Sequence, residues 1–258
     1  AYDTAASDNN WRVRAGYGAL VAASLPAVPV RLATPVTEID HTGRLLRIET
    51  AGGTIACHAA IVTVSTNVLA GGGIRFRPSL DAHLHAAACL PLGLANKVFL
   101  AIDGPSPFEP DSHVMGNPYL AETGGYSIRP LGRDVIECYF GGPGAQLVER
   151  AGLEAAIGFA KDELAALFGA DVRRCLRALA VSNWGQADWI GGSYSHALPG
   201  QSGARALLAQ PVEGRLLFAG EATHAFDFST AHGAYASGVR AAEQAIAGLA
   251  GSRHRLVG

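Results

Sequence analysis

Two parts of the chain carry residue types at spacings that chemistry could use. The denser one runs from Gly214-Arg215-Leu216-Leu217-Phe218-Ala219-Gly220-Glu221 into Ser229-Thr230-Ala231-His232-Gly233-Ala234-Tyr235-Ala236-Ser237-Gly238. It reads as a buried strand ending in Gly220-Glu221, a loop, and a helix whose first turn is made of small residues. A helix N-terminus offers free N–H groups and a partial positive charge, so it can receive an anionic or electron-rich ligand edge. Gly233, Ala234, Ala236 and Gly238 admit close approach by a flat molecule or by another backbone. The Glu221 carboxylate can accept hydrogen bonds from a ribose or ribityl hydroxyl. The same residues also describe a tight strand–helix corner capped by Ser229 or Thr230, and composition alone favours that corner. The second part is Lys97, set among apolar neighbours in Gly93-Leu94-Ala95-Asn96-Lys97-Val98-Phe99-Leu100-Ala101-Ile102. An ammonium there is costly unless it has a polar partner or a task; the other reading is a lysine snorkelling from a strand edge. His83-Leu84-His85 and the scattered His113, His196, His224 and His232 lack metal-ligand spacing with Cys or carboxylates. No GxSxG and no Cys-with-His signature supports acyl transfer.

Several elements must position these residues. Gly16 to Leu25 reads as a short helix stopped by Pro26. From Val28 to Ser65 the period falls to two: Val28, Val30 and Leu32 alternate, as do Leu46, Ile48 and Thr50, with turns at His41-Thr42-Gly43 and Ala51-Gly52-Gly53-Thr54. Ile61-Val62-Thr63-Val64 reads as a buried strand, so the region is a β-meander feeding an inner strand. Residues 80 to 89 read as helix, Gly93 to Ile102 and Val135 to Phe140 as strands. Leu153 to Phe168 has helical spacing with the stop signal Gly169 after it. Arg177 to Trp184 alternates, Leu216 to Gly220 is a compact strand, and Gly233 to Gly248 a final helix. The first ten residues are polar and loop-like.

Composition narrows the function classes. The chain has 258 residues, with 20 Lys and Arg against 22 Asp and Glu, a formal charge of −2, and 49% apolar content. Near-neutral charge argues against nucleic-acid binding, which needs a clustered cationic field, and the apolar content excludes disorder. No run approaches the roughly 20 apolar residues of a membrane span, and no signal peptide is visible at Ala1-Tyr2-Asp3-Thr4. The start without Met reads as a processed chain or a fragment. Cys57, Cys89, Cys138 and Cys175 form no CxxC pair and read as reduced structural thiols of a cytoplasmic protein.

Gly214 to Ala245 resembles the C-terminal FAD-binding segment of the flavin-containing amine oxidases, the family of monoamine oxidases, polyamine oxidases, lysine-specific histone demethylases and L-amino-acid oxidases. Further landmarks follow in the family's order. Thr34-Pro35-Val36-Thr37-Glu38-Ile39 is similar to the strand whose backbone, at Val36, meets the adenine. Ala60 to Val64 resembles the strand returning toward the dinucleotide. Ile74 to Pro78 and Leu90 to Gly93 resemble the next landmarks, and Gly93 to Lys97 the run with the active-site lysine. Trp184, then Trp189-Ile190-Gly191-Gly192-Ser193-Tyr194, resembles the aromatic stretch before the last motif. The resemblance implies that Lys97 holds a water against flavin N5 and that Tyr194 is a wall of the aromatic cage for the substrate amine. It implies that Gly220, Glu221, Thr230, Ala231 and Gly233 surround the cofactor, and that Trp184 and Trp189 pack by the isoalloxazine, although core burial explains a Trp equally well. The second cage tyrosine of monoamine oxidases falls on Thr230, which points to the polyamine-oxidase and demethylase branch. Their covalent thioether position falls on Ser193, so the FAD is expected to be non-covalent.

The implied reaction is oxidative deamination of an amine: hydride passes to FAD and dioxygen is reduced to hydrogen peroxide. The family's opening GxGxxG and the acidic residue about 20 positions later are not found. Gly16-Tyr17-Gly18, Gly71-Gly72-Gly73 and Gly141-Gly142-Pro143-Gly144 lack the spacing. Two rival readings therefore stand: a fragment or subunit of a split flavoprotein that needs a second chain to bind FAD, and a related flavin desaturase or protoporphyrinogen-type oxidase. The expected fold is α/β with α+β character. Residues 1–75 and 196–258 would form an incomplete FAD-binding domain, and 76–195 a substrate domain on a mixed sheet. Apolar surface on the incomplete domain implies self-association or an N-terminal partner chain.

Overall fold

The computed structural model describes residues 11–254; the first ten residues, read as loop-like, lie outside the described residues. The chain divides into two compact units, one made of the residues up to Leu90 with those from Ala197 onward, the other of Pro91–His196.

The first unit opens with α1 (Tyr17–Ser24), which begins after Gly16 at φ 90° and has no buried residue. The strand expected over Val28, Val30 and Leu32 does not form. Pro26 and Pro29 interrupt the segment, Pro29 removes a ladder donor, and the three side chains are exposed. The meander then appears as β1 (Val36–Asp40), β2 (Leu46–Thr50) and β3 (Gly53–Cys57), antiparallel, with Ile39 opposite Ile48 and Ile48 opposite Ile55. β4 (Ala60–Val62) follows, and the expected strand ends two residues early. Ser65 then accepts a hydrogen bond from Val68 N and starts α2 (Thr66–Ala70), a helix not expected from the sequence. β5 (Arg75–Arg77) adds to β1 in parallel, giving the order β3-β2-β1-β5. α3 (Asp81–Ala88) buries Ala86 and Ala87 beside Leu80, Leu90 and Phe76. Residues 76–90 thus pack into the first unit, so its boundary lies at Leu90 rather than after residue 75.

The second unit is one five-stranded sheet covered on one face by helices. Its strands are β6 (Ala95–Ile102), β7 (Ser112–Met115), β8 (Gly125–Ile128), β9 (Val135–Gly141) and β10 (Leu176–Val181), in the order β10-β6-β9-β8-β7. Every pairing is antiparallel; the mixed sheet lies in the first unit, not here. Side chains alternate across a strand, so Val98, Leu100, Ile102, Ile136, Cys138 and Phe140 enter the core. Lys97, Phe99, Glu137 and Tyr139 belong to the opposite face. α4 (Gly142–Ala151) and α5 (Leu153–Phe168), parted by Gly152 at φ 83°, cover the apolar face through Val148, Ala156, Ile157, Ala160 and Leu164.

The chain returns to the first unit with α6 (Ala204–Leu208), β11 (Leu216–Phe218) and α7 (Ala231–His254). β11 is fully buried and pairs with β4 in parallel, Phe218 opposite Val62. Leu217, Ala219 and Ala241 form a small cluster of their own. Arg240 donates to the carbonyls of Ala209 and Phe218 and to Thr223 Oγ1, tying α7 to the strand. Among the described residues no helix is long and apolar enough to cross a membrane.

Candidate active site

In the second unit, the sheet face turned away from the core floors a cavity of about 420 Å³ lined by Ala95, Lys97, Phe99, Tyr139, Ser182, Trp184, Ile190, Ser193 and Tyr194. Period two along β6 delivers Ala95, Lys97 and Phe99, and Tyr139 stands directly across the ladder from Lys97. The Lys97 ammonium is 3.3 Å from Glu137 Oε2 and 5.9 Å from the centroid of Phe99. The half-exposed ammonium on this apolar strand thus has a polar partner in Glu137.

The far wall is held by two polar clamps. Asn96 is fully buried. Its Nδ2 donates to Glu149 Oε1 at 2.8 Å, while its Oδ1 accepts from Ser182 Oγ at 3.1 Å and from Trp184 N at 3.3 Å. Gly185 N also donates to Glu149 Oε1, and a Cβ on Gly185 would collide with that carboxylate. The turn carrying Trp184 is thus fixed to β6 and α4. In the second clamp, Ser193 Oγ accepts from Ala95 N at 2.8 Å and donates to Ala95 O at 2.9 Å. Gly93 and Ser193–Tyr194 exchange backbone hydrogen bonds. A Cβ on Gly192 would lie 2.5 Å from Leu92 Cβ, so glycine is required for this approach. The zippered segment brings Tyr194 beside Tyr139, hydroxyl to hydroxyl at 2.7 Å. Burial, then the hydrogen bond it shares with Tyr194, pushes the Tyr139 phenol up to about 12. Trp189 meets Trp184 edge to face at 6.2 Å but is 71% exposed and does not line the cavity.

In the first unit, Gly220 at φ 131° lies two residues past the end of β11, and its N–H donates to Ser237 Oγ in α7. Glu221 Oε2 accepts from Ser229 N at 2.7 Å. Thr230 is the cap: its Oγ1 accepts from Gly233 N and donates to Asp227 O. Gly233 is required because the Asp227 carbonyl packs where a Cβ would go. The close approach expected at Gly233 is thus made by backbone. Arg205, almost wholly buried, donates to Ala222 O and lies 4.0 Å from the Phe228 ring centroid. Burial pulls its pKa down, opposed by the Glu221 charge.

Lys97, Trp184 and Tyr194 thus meet at one cavity, and Gly220, Glu221, Thr230, Ala231 and Gly233 at one strand–helix turn. Val36 starts β1 opposite Thr50, half-buried on the first unit's core. Sequence reasoning missed Phe99, Tyr139, Ser182 and Ile190 as cavity residues, and Asn96 and Glu137 as their supports. Alternation in the two strands was the signal for Phe99, Glu137 and Tyr139; Asn96 is legible only once the Ser182–Gly185 turn is seen. Among the described residues no group of three His, Cys, Asp or Glu side chains is placed to hold a metal ion.

Comparison with known proteins gives the chain's family. The chain is 32% identical over 237 residues to polyamine oxidase 4 of Oryza sativa subsp. japonica, covering 89% of this chain and 47% of that protein. It is 28% identical over 247 residues to human lysine-specific histone demethylase 2, covering 90% of this chain and 30% of that protein. A solved structure of wild-type putrescine oxidase bound to putrescine superposes with a TM-score of 0.70 at 20% identity, covering 83% of this chain and 48% of that one. The chain spans about half the length, or less, of these relatives. The family model for flavin-containing amine oxidoreductases matches residues 2–246, and the chain belongs to that family.

Proposed function

We propose that this chain is the substrate-cavity and C-terminal cofactor-binding portion of an FAD-dependent amine oxidase that deaminates an amine oxidatively, with FAD held non-covalently. The observation that carries this reading is the convergence of Lys97, Tyr139, Tyr194 and Trp184 on one aromatic-walled cavity. A bound flavin would supply a two-electron acceptor for the amine's α-hydride, with dioxygen as the final acceptor giving hydrogen peroxide. The chain's own residues do the rest by orientation and exclusion. Lys97, anchored by Glu137, holds a water by its ammonium. Tyr194 aligns the amine, while Phe99, Ile190 and Trp184 keep bulk water off its alkyl chain. The imine product leaves to hydrolyse.

The donor set at the strand–helix turn suits a dinucleotide edge. Thr230 caps Gly233 N and leaves the first N–H groups of α7 for an electron-rich ligand. The Glu221 carboxylate sits at the strand end, and space is open beside Gly220 and Gly238. Thr230, Ala231 and Glu221 would hold the cofactor, with Gly220 and Gly233 shaping the turn and Val36 meeting the adenine. The hydroxyl of Ser193, engaged twice with Ala95, offers no thioether and supports non-covalent FAD.

A second reading keeps the fold but makes FAD uptake depend on a complementing segment or chain. It is favoured by the two-stranded β4–β11 sheet, by exposed Tyr235, Val239 and Ile246 along α7, and by the lack of a GxGxxG loop in these residues. One experiment separates the two. Purified protein reconstituted with FAD is gel-filtered, and its visible spectrum is followed under anaerobic addition of an amine panel. A yellow protein that bleaches and releases peroxide on air supports the first reading. A colourless protein that turns yellow only with a complementing N-terminal half supports the second. Bleaching by a non-amine alone would sink amine oxidation.

A further inference from the structure

Sequence reasoning passed over Tyr139, yet the fold gives it a central place. It faces Lys97 across β6 and β9, lines the same cavity, and touches Tyr194 hydroxyl to hydroxyl at 2.7 Å. We propose that Tyr139 is a second aromatic wall of the amine site, and that it acts with Tyr194 as one hydrogen-bonded pair that positions an aliphatic amine. The proposal rests on the reading of this cavity as an amine site, and it requires no flavin.

Two phenol hydroxyls that share one hydrogen bond use one proton and one lone pair between them. One O–H and further lone pairs remain for a ligand. The O–H donates to the nitrogen of a neutral amine, and the lone pairs accept from an ammonium, so either form is held at the same end. Each tyrosine is 41% exposed, so ring surface is available to an alkyl chain or a cation. The Lys97 charge does not repel such a ligand strongly, because Glu137 offsets it at 3.3 Å. The raised pKa of Tyr139 keeps its proton in place across the neutral range.

The two tyrosines are mounted differently. Tyr139 stands on a central strand, whereas Tyr194 lies in an irregular segment held through Ser193 and Gly93. Tyr139 therefore fixes where the Tyr194 hydroxyl points.

The test is calorimetric titration of butylamine into the whole protein and into the variants Y139F, Y194F and Y139F/Y194F. Y119F, at a 94% exposed site, serves as control. Each single variant is expected to weaken binding about fivefold, the worth of one ordinary hydrogen bond, and the double variant no further than the weaker single. Multiplying losses in the double variant, wild-type affinity in Y139F, or no butylamine binding by the wild type would each overturn the proposal. Should Y139F fail to fold, tyrosine ultraviolet absorbance of the unmodified protein decides: butylamine must perturb it, and an unchanged spectrum overturns the pair. Flavin uptake is read separately by visible absorbance. Coupled tyrosines without flavin uptake uphold the pair and count against FAD uptake by this chain alone; flavin uptake with an indifferent Y139F upholds the flavin reading and overturns the pair.

Discussion

Replacing Asn96 by alanine tests whether the cavity wall is held by the buried amide. The substitution removes three hydrogen bonds at a site with no solvent access: Nδ2 to Glu149, Ser182 Oγ to Oδ1, and Trp184 N to Oδ1. The bond to the carboxylate is charge-assisted, worth about 1.5–3 kcal/mol, while the other two, at 3.1 and 3.3 Å, are worth about 0.5–1 kcal/mol each. The expected cost to the second unit is therefore about 3–5 kcal/mol, since Trp184 N loses its partner and Glu149 keeps only Gly185 N of the donors at Oε1. Urea unfolding followed by tryptophan fluorescence reads this directly, because Trp184 sits on the affected turn and Trp189 packs against it. S182A removes the Ser182 bonds to Asn96 Oδ1 and from Lys97 N and should cost less, about 1–2 kcal/mol. A loss below about 1 kcal/mol in N96A, with unchanged denaturant slope, would refute the claim that this amide fixes the wall.

Three further outcomes follow from the geometry. In the flavin-loaded protein, K97M should slow flavin reduction or reoxidation about tenfold or more. Its effect on stability should stay below about 1 kcal/mol, since the half-exposed Lys97–Glu137 pair is worth little; rapid-mixing kinetics with both half-reactions unchanged removes Lys97 from the site. Burial raises the phenols of both Tyr126 and Tyr139, so alkaline absorbance titration should show a step near 12 that belongs to Tyr139 and precedes that of Tyr126, and Y139F should lack it. Because burial raises this pKa, the neutral phenol contributes stability that is complete below the ordinary tyrosine value near 10 and is lost as pH rises through about 12. G233A should destabilise the first unit by about 1–3 kcal/mol, because its methyl must displace the Asp227 carbonyl. G238A, with open space around its Cβ in the same helix, should stabilise by up to about 1 kcal/mol; equal effects in urea unfolding would contradict the packing at Gly233.

The sequence revealed most where one residue pattern meets one partner. Leu153–Phe168 was bounded correctly because its helical spacing ends at Gly169, which adopts φ 94°. β2, β6, β9 and β11 were legible from alternation or compact apolar runs. β7 and β8 were not, because Ser112–Met115 and Gly125–Ile128 are short and become strands only by pairing beyond β9. α4 was hidden by Gly142-Pro143-Gly144, which reads as a loop although Pro suits a first helical turn. Val28–Leu32 failed in the other direction, since alternation without a neighbouring strand makes no sheet. At the cavity, Lys97 and Tyr194 came from resemblance; alternation put Tyr139 on the right face but only the cross-strand register set it beside Lys97, and Asn96 became legible only with the Ser182–Gly185 turn in hand.

That register also explains why the cavity can vary without endangering the fold. In β6 and β9 each core residue alternates with one on the cavity face: Val98 and Leu100 with Lys97 and Phe99, Cys138 and Phe140 with Glu137 and Tyr139. The buried members each contribute about 1.5–3 kcal/mol through apolar burial. The cavity-face members are partly exposed, and their interactions include an ion pair, a phenol–phenol bond and a distant ring contact. Substitutions on the two faces should therefore act independently. L100A should cost about 2–5 kcal/mol in stability while leaving butylamine affinity unchanged under folding conditions, and Y139F should do the opposite. Strong non-additivity in the L100A/Y139F double variant would mean that the sheet transmits strain between its faces, and the separation of scaffold from site would fail.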